Sequence, residues 1–202
     1  GRRIHDAIKA GGQTAVAATV ELIDAFSRGI SISDALAVEP GSRAFTSTWE
    51  RIVKAAEDYN DPGTFTAFIG YEWTSLVDGG DNLHRVVIYR DGADVALRVE
   101  PYTTMAPLGS PDPMDLWKWM AGAEAQSGGN LLALAHNGNM SNGIMFPVDR
   151  QYTGRRIDET YVTQRALWEP LYEATQIKGD GETHPFLSPD DEFADYETWA
   201  KG

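Results

Sequence analysis

The 202 residues include no cysteine. Disulfides and thiolate metal sites are excluded, so any metal must be held by His, Asp or Glu. Histidine is scarce too, with four copies: His5, His84, His136 and His184. Positive charge is in deficit. Seventeen Lys and Arg stand against thirty Asp and Glu, a net charge of −13. No basic face offers itself to a phosphate backbone, so no nucleic acid partner is expected. No apolar run is long enough to cross a bilayer, and no membrane segment is expected. The chain shows no signal peptide, no internal repeat and no low-complexity tract. It opens on Gly1 rather than Met, and the expectation is an internal piece of a larger protein. That leaves a cytoplasmic or periplasmic location, and the oligomeric state, undecided.

What is present is an ordinary globular composition, 42% hydrophobic and 23% charged, expected to fold as a single domain over 1–202. Apolar spacing predicts a helix from Gln13 to Arg28 with Gly29 as its C-cap. A second is predicted from Thr48 to Tyr59, with Ser47 and Glu50 in capping-box form and a stop at Asn60-Asp61-Pro62-Gly63. TFTAFIGYEWT and LHRVVIYRDG read as strands that can pair as a hairpin. A proline-rich loop leads to the helix DPMDLWKWMAGAEA, with Asp112 as N-cap and Pro113 at its first position. LLALAH reads as a strand, Tyr161 to Trp168 as a helix and LYEATQIKG as a last strand. This helix–strand alternation predicts an α/β fold, layered or barrel-like. In such folds the ligand site lies beyond the carboxyl ends of strands.

The stretch LALAHNGN ends an apolar run in a histidine followed by Asn and Gly. A histidine there can be a metal ligand, a general base or a hydrogen-bonded core residue. Glu72 ends one strand, His84 opens the next and His136 ends another. Two imidazoles and a carboxylate form a partial ligand set for Zn²⁺, Mn²⁺ or Fe²⁺. Asn137 and Asn139 follow His136 and can offer donors to a substrate oxyanion, although they are also good turn formers. Gln176 and Lys178 lie at the carboxyl end of the last strand and Glu182 and His184 just after it, where a lysine suits an anion. Arg85 alternates with His84 and is expected on the opposite face. The tryptophans read as core residues. The acidic run from Asp190 to Glu197 lacks Ca²⁺-loop spacing. A serine hydrolase built on Ser141 and His136 has no G-x-S-x-G elbow behind it.

GYEWTS, NLHRVVIYRD, LALAHNGNMSNG, EATQIKGDGETHP and LSPDDEFADYE together resemble the bacterial family known as domain of unknown function 3604. The likeness runs from about Trp49 to Trp199. That family in turn looks like a divergent branch of the PHP (polymerase and histidinol phosphatase) superfamily of metal-dependent phosphoesterases. The resemblance implies a partial, distorted (β/α)₇ barrel with its metal site at the strand carboxyl ends. It implies that Gly70-Tyr71-Glu72 supplies a metal-bridging carboxylate and that His84 and His136 bind the same metal, with Glu72 and His136 as catalytic residues. Two motifs of the superfamily are missing. Ile4-His5-Asp6 is not its His-x-His, and Asp180-Gly181-Glu182 is not its Asp-x-His. The expected function is hydrolysis of a phosphate ester or similar small anion by a metal-bound hydroxide, with this piece able to lack activity alone. The competing expectation is a nonenzymatic module that binds a ligand or partner at its rim.

Overall fold

The computed structural model describes residues 1–30, 38–176, 178–180, 185, 186, 189, 190, 192 and 194. Two helices come first, α1 (Arg2–Ala10) and α2 (Gly12–Ser27). Gly29 ends α2 at φ 65°, with its N–H on Phe26 O and that of Ile30 on Ala25 O. This is the paired-bond C-terminal motif that glycine permits. α3 (Arg43–Tyr59) begins a turn earlier than the capping-box reading predicts. The Ser42 side chain accepts from Phe45 N at 3.3 Å, while Ser47 Oγ donates back to Ala44 O inside the helix. A tertiary partner completes that start, since the Glu100 carboxylate accepts from Gly41 N and Thr46 Oγ1. α5 (Pro113–Ser127) follows its sequence signals closely: Asp112 accepts from Met114 N, Pro113 opens the helix and Gly128 closes it at φ 77°. Between these helices lies the four-residue α4 (Ala93–Ala96), and later comes α6 (Glu159–Trp168), capped by Asp158.

The main sheet holds β1 (Ile69–Trp73), β4 (Arg85–Tyr89), β5 (Leu131–Ala135) and β6 (Leu171–Tyr172), in the order β1-β4-β5-β6. β1 and β4 form the expected antiparallel pair, and a small hairpin, β2 (Leu76–Val77) with β3 (Asp81–Asn82), rises from their connection. β4 and β5 are also antiparallel, while β5 and β6 are parallel through the α6 crossover. The predicted last strand is broken. After β6 the chain leaves the ladder, and β7 (Thr175–Gln176) pairs with β8 (Gly179–Asp180) as a separate ribbon.

This topology overturns the distorted (β/α)₇ barrel. The sheet is open: β1 and β6 are its two outer strands and do not pair with each other. A barrel of that kind needs a run of parallel strands joined by crossover helices. Here two of the three strand pairings in the sheet are antiparallel.

Strand alternation divides the sheet into two faces. Odd-numbered residues of β1, β4 and β5 meet the helices. Trp73, Val87 and Ala133 pack with Leu116, Trp117 and Met120 of α5 and with Tyr161 and Trp168 of α6. Ile69 and Tyr89 pack with Trp49 and Val53 of α3. Arg85 lies on this face, as its alternation with His84 requires, and is fully buried. The even-numbered residues, including Val86, Ile88, Leu132 and Leu134, are half-buried on the other face. Position 70 is on that face by alternation, and glycine fits there because a Cβ would sit 2.7 Å from Val87 O.

Candidate metal centre

Register alone brings the three predicted ligands together. β1, β5 and β6 run in one direction and β4 in the other, so three strands end, and one begins, on a single rim. Glu72 stands opposite Val86, and Arg85 stands opposite Ala135. One step past that last pair, His136 N–H donates to His84 O at 3.3 Å, which makes the two histidines cross-strand neighbours. Residues 72, 84 and 136 all fall on the even face, the one the helices leave open.

Their polar atoms converge. Glu72 Oε1 is 3.2 Å from His84 Nδ1 and 3.8 Å from His136 Nε2. The ring centroids of the histidines are 5.6 Å apart. One ligand atom from each residue lies within 4.8 Å of the other two. Donor atoms about 2.1 Å from a tetrahedral ion are spaced about 3.4 Å from one another, so the cluster is near that size. Thr74 Oγ1 donates to the same Glu72 oxygen at 3.0 Å and steadies it.

Both imidazoles are nearly buried, with side chains 11% and 12% exposed, whereas Glu72 is 46% exposed. Among the described residues, both ring nitrogens of His84 and Nδ1 of His136 have no hydrogen-bond partner. The 3.2 Å approach of His84 to Glu72 is close in distance but not aligned as a hydrogen bond. Buried polar atoms without partners are costly and rare. Burial, chiefly, pulls the His84 pKa from 6.5 down to about 4; Glu72 opposes the shift, and His136, Lys178 and Arg85 add to it. His84 is therefore neutral at pH 7, the form that offers a lone pair to a metal. Two imidazoles, an adjoining carboxylate and unsatisfied nitrogens fit a divalent ion, and three protein ligands leave a coordination position open.

The remaining predicted residues lie at varied distances from this point. Asn137 is buried in a left-handed conformation, φ 58°. Its N–H donates to Glu173 Oε2 at 2.9 Å, and its Oδ1 accepts from Gln176 Nε2, which also reaches Glu173 Oε2 at 2.9 Å. Asn139 is exposed and donates to the backbone oxygen of Lys178 at 3.0 Å. The Lys178 side chain is exposed, and its charge is felt at His84. Glu182 and His184 lie outside the described residues, as does most of the acidic run from Asp190 to Glu197. His5 is exposed on α1 and pairs with Asp6. Ser141 is buried, with its Oγ on Gly138 O at 2.7 Å.

Two acidic residues escaped the sequence reading. Glu173 follows β6, level with His136 in the parallel register, and clamps the loop that begins at Asn137. The signal was there, a carboxylate two residues past Leu171, but reading one strand through to Gly179 placed the rim too late. Glu169 lies on the other side of the sheet. Its carboxylate binds Arg85 Nε at 2.8 Å, Arg165 Nη2 at 3.0 Å and Trp117 Nε1 at 2.8 Å.

The family model described as "Protein of unknown function (DUF3604)" matches residues 1–202. The chain belongs to the DUF3604 family. No curated protein matches it, and no solved structure does. For this DUF3604 chain, chemistry must be argued from the rim itself.

Proposed function

We propose that the chain forms the metal-binding rim of a metal-dependent hydrolase for small anionic esters, phosphate esters foremost. The carrying observation is the convergence of Glu72, His84 and His136, with buried imidazole nitrogens that no group among the described residues satisfies. A Zn²⁺, Mn²⁺ or Fe²⁺ ion bound there supplies a hydroxide-like water near neutral pH and a positive charge facing the ester oxygens. Glu72 and the two histidines hold the ion, and Thr74 orients Glu72 by its hydrogen bond. Glu173 fixes the loop after His136. Lys178, whose backbone oxygen accepts from Asn139, contributes a cation for the substrate anion. The likeness of Gly70-Tyr71-Glu72, His84 and His136 to PHP metal motifs supports a phosphoester substrate over other anions.

The test is to load the chain with Zn²⁺, Mn²⁺ or Fe²⁺ and follow 4-nitrophenyl phosphate cleavage alongside bound metal. Metal uptake and turnover are expected, and Glu72→Gln/His136→Ala should lose both. Unchanged metal content in that double variant overturns the reading. A metal-stripped chain that still binds phosphate as well as the loaded one points instead to a nonenzymatic binding module.

A further inference from the structure

A cavity of about 450 Å³ lies against the outer edge of β1. That volume is within the range of small-molecule sites. Phe45 and Trp49 of α3, Phe26 of α2, and Tyr102 and Met105 of the loop before α5 supply its apolar walls. Glu72 and Thr74 complete its lining, so this space borders the residue whose carboxylate approaches His84. The walls are held by their own contacts. Trp49 Nε1 donates to Ala96 O at 3.2 Å. Tyr102 stacks on Trp119 with centroids 5.7 Å apart and planes 16° apart. Its N–H donates to Tyr71 Oη at 3.0 Å.

Charge decides what the cavity can hold. Glu72 is the one charged side chain lining it among the described residues. A wholly charged anion placed inside would meet a carboxylate and no cation, at a desolvation cost nothing offsets. An uncharged aromatic or branched group would instead lose water against aromatic rings. We propose that the cavity takes the aromatic or branched apolar arm of an anionic ester whose charged end the metal centre receives. This rests on the hydrolytic reading above. It adds a substrate class: amphiphilic esters of about naphthyl size, rather than small polar phosphates.

Calorimetric titration of the full chain tests it, with three probes: inorganic phosphate, 1-naphthyl phosphate and 1-naphthol. The Zn²⁺-loaded chain is expected to bind 1-naphthyl phosphate at least about tenfold more tightly than inorganic phosphate, as burial of one ring predicts. Thr48→Trp and, separately, Ile52→Trp place bulk at exposed helix positions that line the cavity. Each is expected to erase that margin while Zn²⁺ stoichiometry and inorganic phosphate affinity stay the same. Equal affinities in the unaltered chain, or a margin intact in both variants, overturn the proposal. 1-Naphthol has no charged end and reports on the cavity in metal-stripped protein. If it binds there and is lost in Thr48→Trp while no Zn²⁺ is ever taken up, the hydrolase reading fails and the apolar site stands. If Zn²⁺ is taken up but neither naphthyl compound outbinds phosphate, the cavity assignment fails alone.

Discussion

His84 and His136 face each other across β4 and β5, joined by a 3.3 Å backbone hydrogen bond from His136 N–H to His84 O. The backbones at these two adjacent cross-strand positions cannot separate without breaking the ladder. Their spacing is set by the sheet, and the third ligand, Glu72, is set by the neighbouring strand pair. The fold itself thus brings the three candidate ligands together. Metal binding is expected to stabilise the chain rather than to fold it. At a Zn²⁺ concentration one hundred times Kd, the gain should be about 2.7 kcal/mol. A thermal melt with and without Zn²⁺ measures it. Glu72→Gln should remove most of the shift, and a shift that survives in the Glu72→Gln/His136→Ala variant would place the ion elsewhere.

Burial of His84 predicts a pH dependence for the metal-free chain. Its pKa falls to about 4 in the fold from an ordinary 6.5. The folded state therefore binds fewer protons than the unfolded state between those values. Stability from this group is complete above about pH 6.5 and declines as pH falls toward about 4. Urea unfolding at pH 7, 6 and 5 in EDTA should show the decline, and His84→Asn should flatten it. An NMR titration that puts the His84 ring near 6.5 would refute the burial argument.

The buried charges on the other face make a separate prediction. Burial pushes the Glu169 carboxyl up, but Arg85 and Arg165, with hydrogen bonds from Arg85 and Trp117, outweigh it and hold the pKa below its usual range. Arg85→Met leaves Glu169 with Arg165 and the Trp117 N–H as its partners, at a cost of up to about 3 kcal/mol. Arg85→Met/Glu169→Leu should recover part of that loss. Chemical denaturation of the two single variants and the double closes the cycle. Additive losses would mean that the two residues do not act as a pair.

These side chains show what could be read from the sequence. Glu72, His84 and His136 were legible because each sits at a strand end where an apolar run meets polar or small residues; their common face comes from the strand register, which no local signal carries. Arg85 was correctly placed on the opposite face by its alternation with His84. Its partner was not legible: Glu169 comes 84 positions later, and nothing local marks a carboxylate that will be buried. The barrel expectation came from family likeness and from counting helices and strands, and neither fixes strand direction. β4 and β5 are separated by α4 and α5, a connection long enough for a parallel crossover, yet they pair antiparallel. The start of α3 was missed because Glu100, from a distant loop, stabilises a turn that local capping signals placed later.

The loop after His136 depends on a close approach at Gly138. A Cβ there would lie 2.1 Å from Tyr172 Oη and 3.1 Å from its Cζ. Tyr172 cannot retreat freely, because its ring packs edge-on against Phe146 with centroids 4.6 Å apart. Gly138→Ala must therefore displace either the tyrosine or the loop, at a cost of about 1–3 kcal/mol. Tyr172→Phe removes the atom in worst conflict and leaves the ring in place. The double variant Gly138→Ala/Tyr172→Phe should then lose less than the sum of the two single losses, by about 0.5 kcal/mol or more. Because that loop carries the chain away from His136, Gly138→Ala should also weaken Zn²⁺ binding about 10-fold, in the manner of a disturbed supporting contact, and the second change should restore part of the affinity. Strictly additive stabilities, or a Gly138→Ala chain with unaltered Zn²⁺ affinity, would show that the contact does not position the histidine.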